Sequence, residues 1–343
     1  MGVASMAQWD AEALPKFYDA TDGDKILNCD MESDGMDPVV IYNTYNKDET
    51  LVKTWNGKKW IQYLGDFPKI KHRGFVNLEF HNGDAYALVQ DGEYFSLYRL
   101  KADDEVWKLY GTKNFATNEQ LATPKLVFLN DNPIIYERHH SKAILILFKY
   151  EDGEFRDISP ASEFKGINDD FQIISTDSYT MYWSWTSTNS PDFYFFEVPI
   201  IEGYATRPSM LTNGIKAKEV KAIKKLFYIN KTLYLVYSNV EWNYELYKLA
   251  DGASKWEQVR QPEVLNSPVI SEAEDLSIVV QDKASKLPIF CHFNGSNWDA
   301  GFPLGLTPML AEKPSALAKC LDEYFYLFED NHENTIVMKF KNN

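Results

Sequence analysis

Two neighbouring histidines are the side chains of this sequence that first suggest a metal site. His139 and His140 are its only adjacent histidine pair, and Glu137 and Arg138 precede them. Imidazole is a common zinc ligand, but adjacent residues of an extended strand point to opposite faces, so the pair cannot readily chelate one ion. The sequence therefore predicts a solvated loop here and no metal site.

An acidic segment near the N-terminus has part of the spacing of a calcium-binding loop. Asp19, Asp22 and Asp24 surround Gly23, but the full ligand spacing and the distal bidentate glutamate are missing. Aspartate and glycine are also the residues that form turns. We therefore expect a turn here, and we expect the protein to bind no cofactor.

Motifs for covalent or phosphoryl-transfer chemistry are absent from the sequence. It contains no Gly-x-Ser-x-Gly, no glycine-rich phosphate loop and no His-Glu-x-x-His. Its three cysteines, Cys29, Cys291 and Cys320, lie far apart without metal-ligand spacing, which argues against a disulfide framework and a structural zinc site. The sequence therefore favours a non-enzymatic protein, although an active site built from distant residues stays open.

Composition narrows the class of protein further. The 343 residues include 35 basic and 50 acidic side chains, a net charge of −15, without a basic cluster, which argues against nucleic acid as a partner. Aromatic residues make up 15%, enough for a folded core. Apolar runs such as 143–148 are too short to span a bilayer, and the first residues lack the features of a secretory signal. We expect a soluble, acidic, cytoplasmic protein with no membrane partner, and secretion stays open.

A short apolar strand, a turn and an aromatic residue recur along the chain at intervals of about 50 residues, the length of a four-stranded propeller blade. The aromatic marks are Trp9, Trp60, Trp107, Phe155, Tyr204, Trp256 and Trp298. Each unit has a second strand that is almost continuously apolar, as expected for a sheet buried on both faces. The last strand, 336–340, lacks an aromatic after it, whereas Trp9 lacks a strand before it.

The whole pattern resembles the seven-bladed β-propellers. The end of the first unit, from Asn56-Gly57 through Trp60 to Leu64-Gly65, also resembles tectonin-type and bacterial lectin-type propellers. The resemblance implies an all-β, seven-bladed β-propeller in which an N-terminal strand at Trp9 completes the last blade and removes an unpaired edge. We expect residues 1–7 to be a flexible tail and residues 8–343 a single propeller domain.

The repeated aromatic residues have two interpretations. Aromatic faces can stack on sugar rings, but they also pack between neighbouring blades. A repeated sugar site would need repeated polar partners beside each ring, and the sequence shows none. Packing is therefore the favoured interpretation.

The resemblance implies that loops between the second and third strands carry ligand contacts. Trp185 and Trp242 stand among polar residues in two such loops, and Tyr45, His139 and His332 occupy comparable loops. An exposed aromatic residue in polar company is typical of an interface anchor. The alternative is a tryptophan folded back onto its own blade.

These observations lead to three hypotheses about function. The first is a non-enzymatic scaffold that binds a protein partner through the five loop residues Tyr45, His139, Trp185, Trp242 and His332. The second is a lectin that binds glycans at the blade edges. The third is a propeller enzyme with an active site in the axial channel, because such sites leave no local motif.

Overall fold

The computed structural model describes most of the chain, and the described part is built almost entirely of β-strands. It comprises residues 9–18, 25–45, 49–70, 74–121, 123–139, 144–159, 166–168, 170–176, 180–187, 193–201, 204–205, 209–241, 244–259, 269–270, 276–281, 287–293, 298–301, 315–330 and 332–342. One 3₁₀ helix, Ala217–Glu219, occurs in it. Across these ranges, no helix has the length and hydrophobicity needed to cross a membrane.

The chain divides into two compact units. Unit 1 comprises Met1–Asn114 and Pro262–Asn343, and unit 2 comprises Phe115–Gln261. We number the antiparallel sheets in chain order, so that sheets 1, 2, 6 and 7 belong to unit 1 and sheets 3, 4 and 5 belong to unit 2.

Unit 1 contains four sheets; the strands of sheets 1, 2 and 6 pair in chain order, whereas in sheet 7 the first strand of the chain pairs with the last. Sheet 1 comprises β2 (Ile26–Ser33), β3 (Pro38–Thr44), β4 (Thr50–Trp55) and β5 (Trp60–Gln62). Sheet 2 comprises β6 (Val76–His81), β7 (Asp84–Asp91), β8 (Tyr94–Leu100) and β9 (Lys108–Leu109). Sheet 6 comprises β24 (Val269–Ile270), β25 (Leu276–Gln281), β26 (Pro288–Phe293) and β27 (Trp298–Gly301). Sheet 7 comprises β28 (Ala316–Cys320), β29 (Glu323–Glu329), β30 (Thr335–Asn342) and β1 (Trp9–Ala13).

Unit 2 begins with the two-residue strand β10 (Ala116–Thr117) and contains three sheets. Sheet 3 comprises β11 (Lys125–Leu129), β12 (Asn132–His139), β13 (Ile144–Glu151) and β14 (Glu154–Asp157). Sheet 4 comprises β15 (Gln172–Ser175), β16 (Thr180–Thr186), β17 (Phe193–Ile201), β18 (Tyr204–Ala205) and β19 (Ser209–Met210). Sheet 5 comprises β20 (Val220–Ile229), β21 (Thr232–Asn239), β22 (Tyr244–Ala250) and β23 (Glu257–Val259).

These repeated antiparallel meanders are the blades of an all-β β-propeller. Six sheets begin with a strand of at least four residues, whereas the first strand of sheet 6, β24, has two. The prediction of seven complete blades is therefore corrected to six complete blades and one shorter sheet in the described residues.

The N-terminal strand occupies the position that the sequence predicts. β1 pairs antiparallel with β30, in a register that runs from Trp9 opposite Asn342 to Ala13 opposite Met338. The pairing covers the outer edge of sheet 7, which would otherwise present unpaired backbone groups.

Apolar side chains fill the space between consecutive sheets within each unit. In unit 1 they pack sheet 7 against sheets 1 and 6, and sheet 1 against sheet 2; in unit 2 they pack sheet 4 against sheets 3 and 5. Trp107 and Trp256 are each 2% exposed inside these layers. Both indoles therefore have the packing role that the sequence favours.

Candidate functional site

The structure places Trp185 inside a strand and not in a loop. It belongs to β16, is only 4% exposed, and stacks on Tyr194 and Phe196 of β17 at ring-centroid distances of 5.3 and 5.2 Å. The expectation of an exposed anchor is corrected, because Tyr194, opposite Trp185, and the neighbouring Phe196 form an aromatic layer that covers the indole.

Two other predicted site residues lie outside the part of the structure that can be described. Trp242 is outside the described residues altogether. His139 is the last residue of β12, where its Cα lies opposite Ile144, and its side chain is outside the described part. Their proposed contacts with a partner stay predictions.

Tyr45 and His332 are both exposed, and one ion pair connects their surroundings. Tyr45 is 51% exposed, and its backbone N–H donates to the Lys25 carbonyl at 3.0 Å. The Lys25 ammonium pairs with Glu333, which follows His332, and this hydrogen bond raises the pKa of Lys25. The loops at Tyr45 and His332 are thus linked across sheets 1 and 7, and they form an exposed polar surface that we call the loop face.

A cavity of about 400 Å³ lies in unit 2, between sheets 4 and 5. Its lining combines two tyrosines, charged groups, hydroxyls and a few aliphatic side chains. The lining residues are Thr176, Thr180, Tyr182, Glu197, Leu211, Tyr228, Lys231, Leu233, Leu249, Ala250, Asp251, Gly252, Ala253 and Ser254. We call this space the sheet 4–5 cavity.

Two tight turns of sheet 5 form one rim of the cavity. Asn230 and Lys231 have φ angles of 48° and 59°, which produce the two-residue hairpin between β20 and β21. The turn after β22 lies against this hairpin, because the Asp251 N–H donates to the Lys231 carbonyl at 2.9 Å. This hydrogen bond thus holds the backbones of Lys231 and Asp251 together at the rim.

The segment that leads from sheet 4 to sheet 5 closes another side. The Leu211 N–H donates to the Phe195 carbonyl and Trp256 Nε1 donates to the Leu211 carbonyl, each at 2.9 Å. Asn213 Nδ2 donates to the Ser254 carbonyl at 3.1 Å. Contacts with both sheets therefore hold this segment in place.

The chemical groups at the cavity wall suit a ligand with both a ring face and polar substituents. Tyr182 stacks on Phe195 with a ring-centroid distance of 5.7 Å, which holds its side chain in position. Tyr182, Glu197 and Tyr228 are half-buried, so each presents part of its surface to the cavity. The threonines at 176 and 180 and Ser254 add hydroxyls to this wall.

The described residues offer little support for nucleophilic or metal chemistry. Burial raises the pKa of all three cysteine thiols to about 12, so the reactive thiolate is scarce near neutral pH. The Ser277 hydroxyl lies 3.1 Å from His292 Nδ1, but Ser277 is fully buried and inaccessible to a substrate. In the described ranges, no group of three or more His, Cys, Asp or Glu side chains is placed to hold a metal ion.

None of the cavity residues is among the site residues that the sequence predicts. Those lie in or next to the loops between second and third strands, whereas the turns at the cavity join first and second strands or follow third strands. Tyr182 and Glu197 are opposite one another in β16 and β17, and the sequence alone does not show that their side chains meet an opening. One signal was present: Glu197 interrupts an otherwise apolar and aromatic third strand, 193–201.

No family model matches the chain, and no curated protein matches it. Among solved structures, a puromycin-hydrolysing peptidase of Mycobacterium tuberculosis matches with a TM-score of 0.59 and 10% identity, covering 90% of this chain and 50% of the peptidase. A prolyl endopeptidase structure matches with a TM-score of 0.56 and 11% identity, covering 90% and 47%. The chain thus spans about half the length of these peptidases.

A lectin also resembles this chain in structure. SapL1 lectin, solved in complex with alpha methyl fucoside, matches with a TM-score of 0.52 and 11% identity, covering 81% of this chain and 96% of the lectin. At such low identity these similarities show the β-propeller fold alone.

Proposed function

We propose that this protein binds carbohydrate and that the sheet 4–5 cavity is its binding site. The observation that carries the proposal is the cavity wall, where Tyr182 and Tyr228 stand beside carboxylates and hydroxyls. Sugar rings present apolar C–H faces to aromatic side chains and hydroxyls to polar ones, so they match this mixture. The carboxylates of Glu197 and Asp251 are acceptors for sugar hydroxyls.

The fold is compatible with this activity. SapL1 lectin has a similar fold and was solved with alpha methyl fucoside, so a propeller of this kind can hold a sugar derivative. The choice of binding over catalysis depends on the cavity, since the peptidases share the fold equally well.

A glycan array tests the proposal. We expect the wild-type protein to bind a subset of glycans and Tyr228→Ala to bind them at least about tenfold more weakly, because the variant loses one aromatic wall. Tyr45→Ala is the matched control, since it removes an exposed tyrosine from unit 1 and not from the cavity. Absence of glycan binding, or an equal effect of both substitutions, would contradict the proposed site.

The second candidate function is the binding of a protein partner through the loop face. It is favoured by the exposure of Tyr45 and by the ion pair that connects the Tyr45 and His332 loops. The same variants discriminate it: partner capture in a pull-down would be lost in Tyr45→Ala and retained in Tyr228→Ala. Trp242 and His139, which belong to unit 2, stay separate predictions of contacts with a partner.

A further inference from the structure

One strand position carries a basic side chain in most sheets. In sheets 2, 3, 5 and 7, a two-residue turn joins the first two strands. In each of these sheets, the third residue of the second strand is paired across the sheet with an Arg or Lys of the third strand. These pairs are Tyr86–Arg99, Ile134–Lys149, Tyr234–Lys248 and Phe325–Lys339. The third residue of β3 in sheet 1 is also opposite a lysine, Lys53, and that of β25 in sheet 6 is opposite Cys291.

The basic residue of each of the four matching sheets has an acidic partner on its own sheet. Arg99 Nε donates to Asp84 at 2.7 Å, and the guanidinium carbon lies 5.4 Å from the centroid of the Tyr86 ring. Lys339 pairs with Glu323 at 2.7 Å. The other two pairs, Lys149–Glu151 and Lys248–Glu257, have N–O distances of 3.7 Å. The protein itself thus supplies both charges at these positions.

In sheet 4, four residues separate the first two strands, and the third residue of the second strand lies opposite an acidic residue. Tyr182 is the third residue of β16, and its Cα partner on β17 is Glu197. Within the described part of the chain, the Glu197 side chain forms no hydrogen bond or ion pair, although it is half-buried. Glu197 lines the sheet 4–5 cavity, so a position that carries a cation in the four matching sheets carries an acidic residue beside the cavity here.

The described lining of the cavity has one basic residue beside two acidic ones. Asp251 adds a second carboxylate to that of Glu197, and Lys231, the basic residue of the described lining, is exposed at the rim. A half-buried carboxylate gains most from a charge-assisted hydrogen bond with a cationic donor. The cavity therefore favours a ligand that brings a positive charge.

We infer that the sheet 4–5 cavity selects amino sugars with a free, protonated amine, and that Glu197 is the residue that determines this specificity. The inference rests on the proposed carbohydrate function and narrows its ligand class. The ammonium group pairs with Glu197, while the sugar ring lies between the tyrosines at 182 and 228. Acetylation of the amine removes the charge and two of the donated hydrogens, so N-acetylated sugars lose this contact.

Titration calorimetry at pH 6 tests the inference with defined probes. The probes are glucosamine, galactosamine and mannosamine, each compared with its N-acetyl form and with the neutral parent hexose. We expect at least one free amine to bind about tenfold or more tightly than its two counterparts. Glu197→Gln should remove this preference, so that the amine, N-acetyl and neutral forms of each sugar bind with affinities within about twofold of one another.

A control variant and a charge reversal complete the test. Glu257→Gln removes an exposed carboxylate of sheet 5 that does not line the cavity, and it should retain the amine preference. Glu197→Lys introduces the residue type found in sheets 3, 5 and 7, and it should abolish amine binding without unfolding the protein. Circular dichroism melting monitors the fold of each variant.

The outcomes separate the inference from the proposed function. Equal binding of amine, N-acetyl and neutral probes, or a preference that survives Glu197→Gln, would overturn the amine inference and leave carbohydrate binding intact. No binding of any probe, together with an empty glycan array, would overturn both.

Discussion

The two faces of sheet 4 have opposite properties although the same two strands form both. On one face Trp183 and Trp185 are buried, 1% and 4% exposed, in the layer shared with sheet 3. On the other face Tyr182 and Glu197 border the sheet 4–5 cavity. Alternate residues of a strand point to opposite faces, so neighbours in sequence are separated by the thickness of the sheet.

The difference shows that an aromatic residue in polar surroundings is not by itself evidence of a binding site. Trp185 stands beside Ser184, Thr186 and Ser187 in the sequence, yet its contacts in space are Tyr194 and Phe196. Tyr182 has no polar residue directly beside it in the sequence, but its cross-strand partner is Glu197 and it lines the sheet 4–5 cavity. The cross-strand partner therefore distinguishes packing from recognition here.

The largest effect on stability is expected from Trp185→Ala on the packed face. Removal of a buried indole leaves a cavity, and we expect the free energy of unfolding of the variant to fall by about 3–5 kcal/mol. Chemical denaturation measures the change, and Tyr45→Ala, which alters an exposed side chain, should stay within about 0.5 kcal/mol of wild type. A loss below about 1 kcal/mol for Trp185→Ala would show that the stack contributes little to stability.

An intermediate effect is expected from Asp170→Ala, which breaks the polar link between sheets 4 and 5. The Asp170 carboxylate accepts hydrogen bonds from the Thr186 backbone N–H at 3.1 Å, the Thr186 hydroxyl at 2.7 Å and the Ile223 N–H at 2.8 Å. The substitution leaves these donors without their acceptor, so we expect a loss of about 1–3 kcal/mol in the free energy of unfolding.

The control for Asp170 is another aspartate of unit 2. Asp251→Ala removes an exposed carboxylate at the cavity rim and should change stability by less than about 0.5 kcal/mol. If both variants lose the same free energy in denaturant titrations, the hydrogen bonds of Asp170 carry no special weight.

Much of the architecture follows from the sequence, because strand formation depends on local patterns. The second strands begin within a few residues of the apolar runs in the sequence. The pairing of Trp9–Ala13 with β30 was predictable because Trp9 has no strand before it and the last strand has no aromatic residue after it. The number of complete blades was not predictable from the spacing of the aromatic marks, since regular intervals do not show whether each unit forms a complete sheet. The candidate site depends on which side chains meet across two sheets, and sequence separation does not encode this.

The smallest effect on stability is expected from Glu197→Lys on the cavity face, and it gives the sharpest comparison with the packed face. Sheets 3, 5 and 7 already accommodate lysine at this position, and Glu197 forms no ion pair among the described residues that the change would break. We expect the free energy of unfolding to change by no more than about 0.5 kcal/mol. The reciprocal variant, Arg99→Glu, places a carboxylate beside Asp84 and removes the cation from the Tyr86 ring, so it should lose at least about 1 kcal/mol. Urea denaturation of the two variants under identical conditions measures both changes. A large loss in the free energy of unfolding for Glu197→Lys would show that Glu197 stabilises sheet 4. An unchanged free energy of unfolding for Glu197→Lys, beside a clear loss for Arg99→Glu, would indicate that the charge of Glu197 serves a ligand.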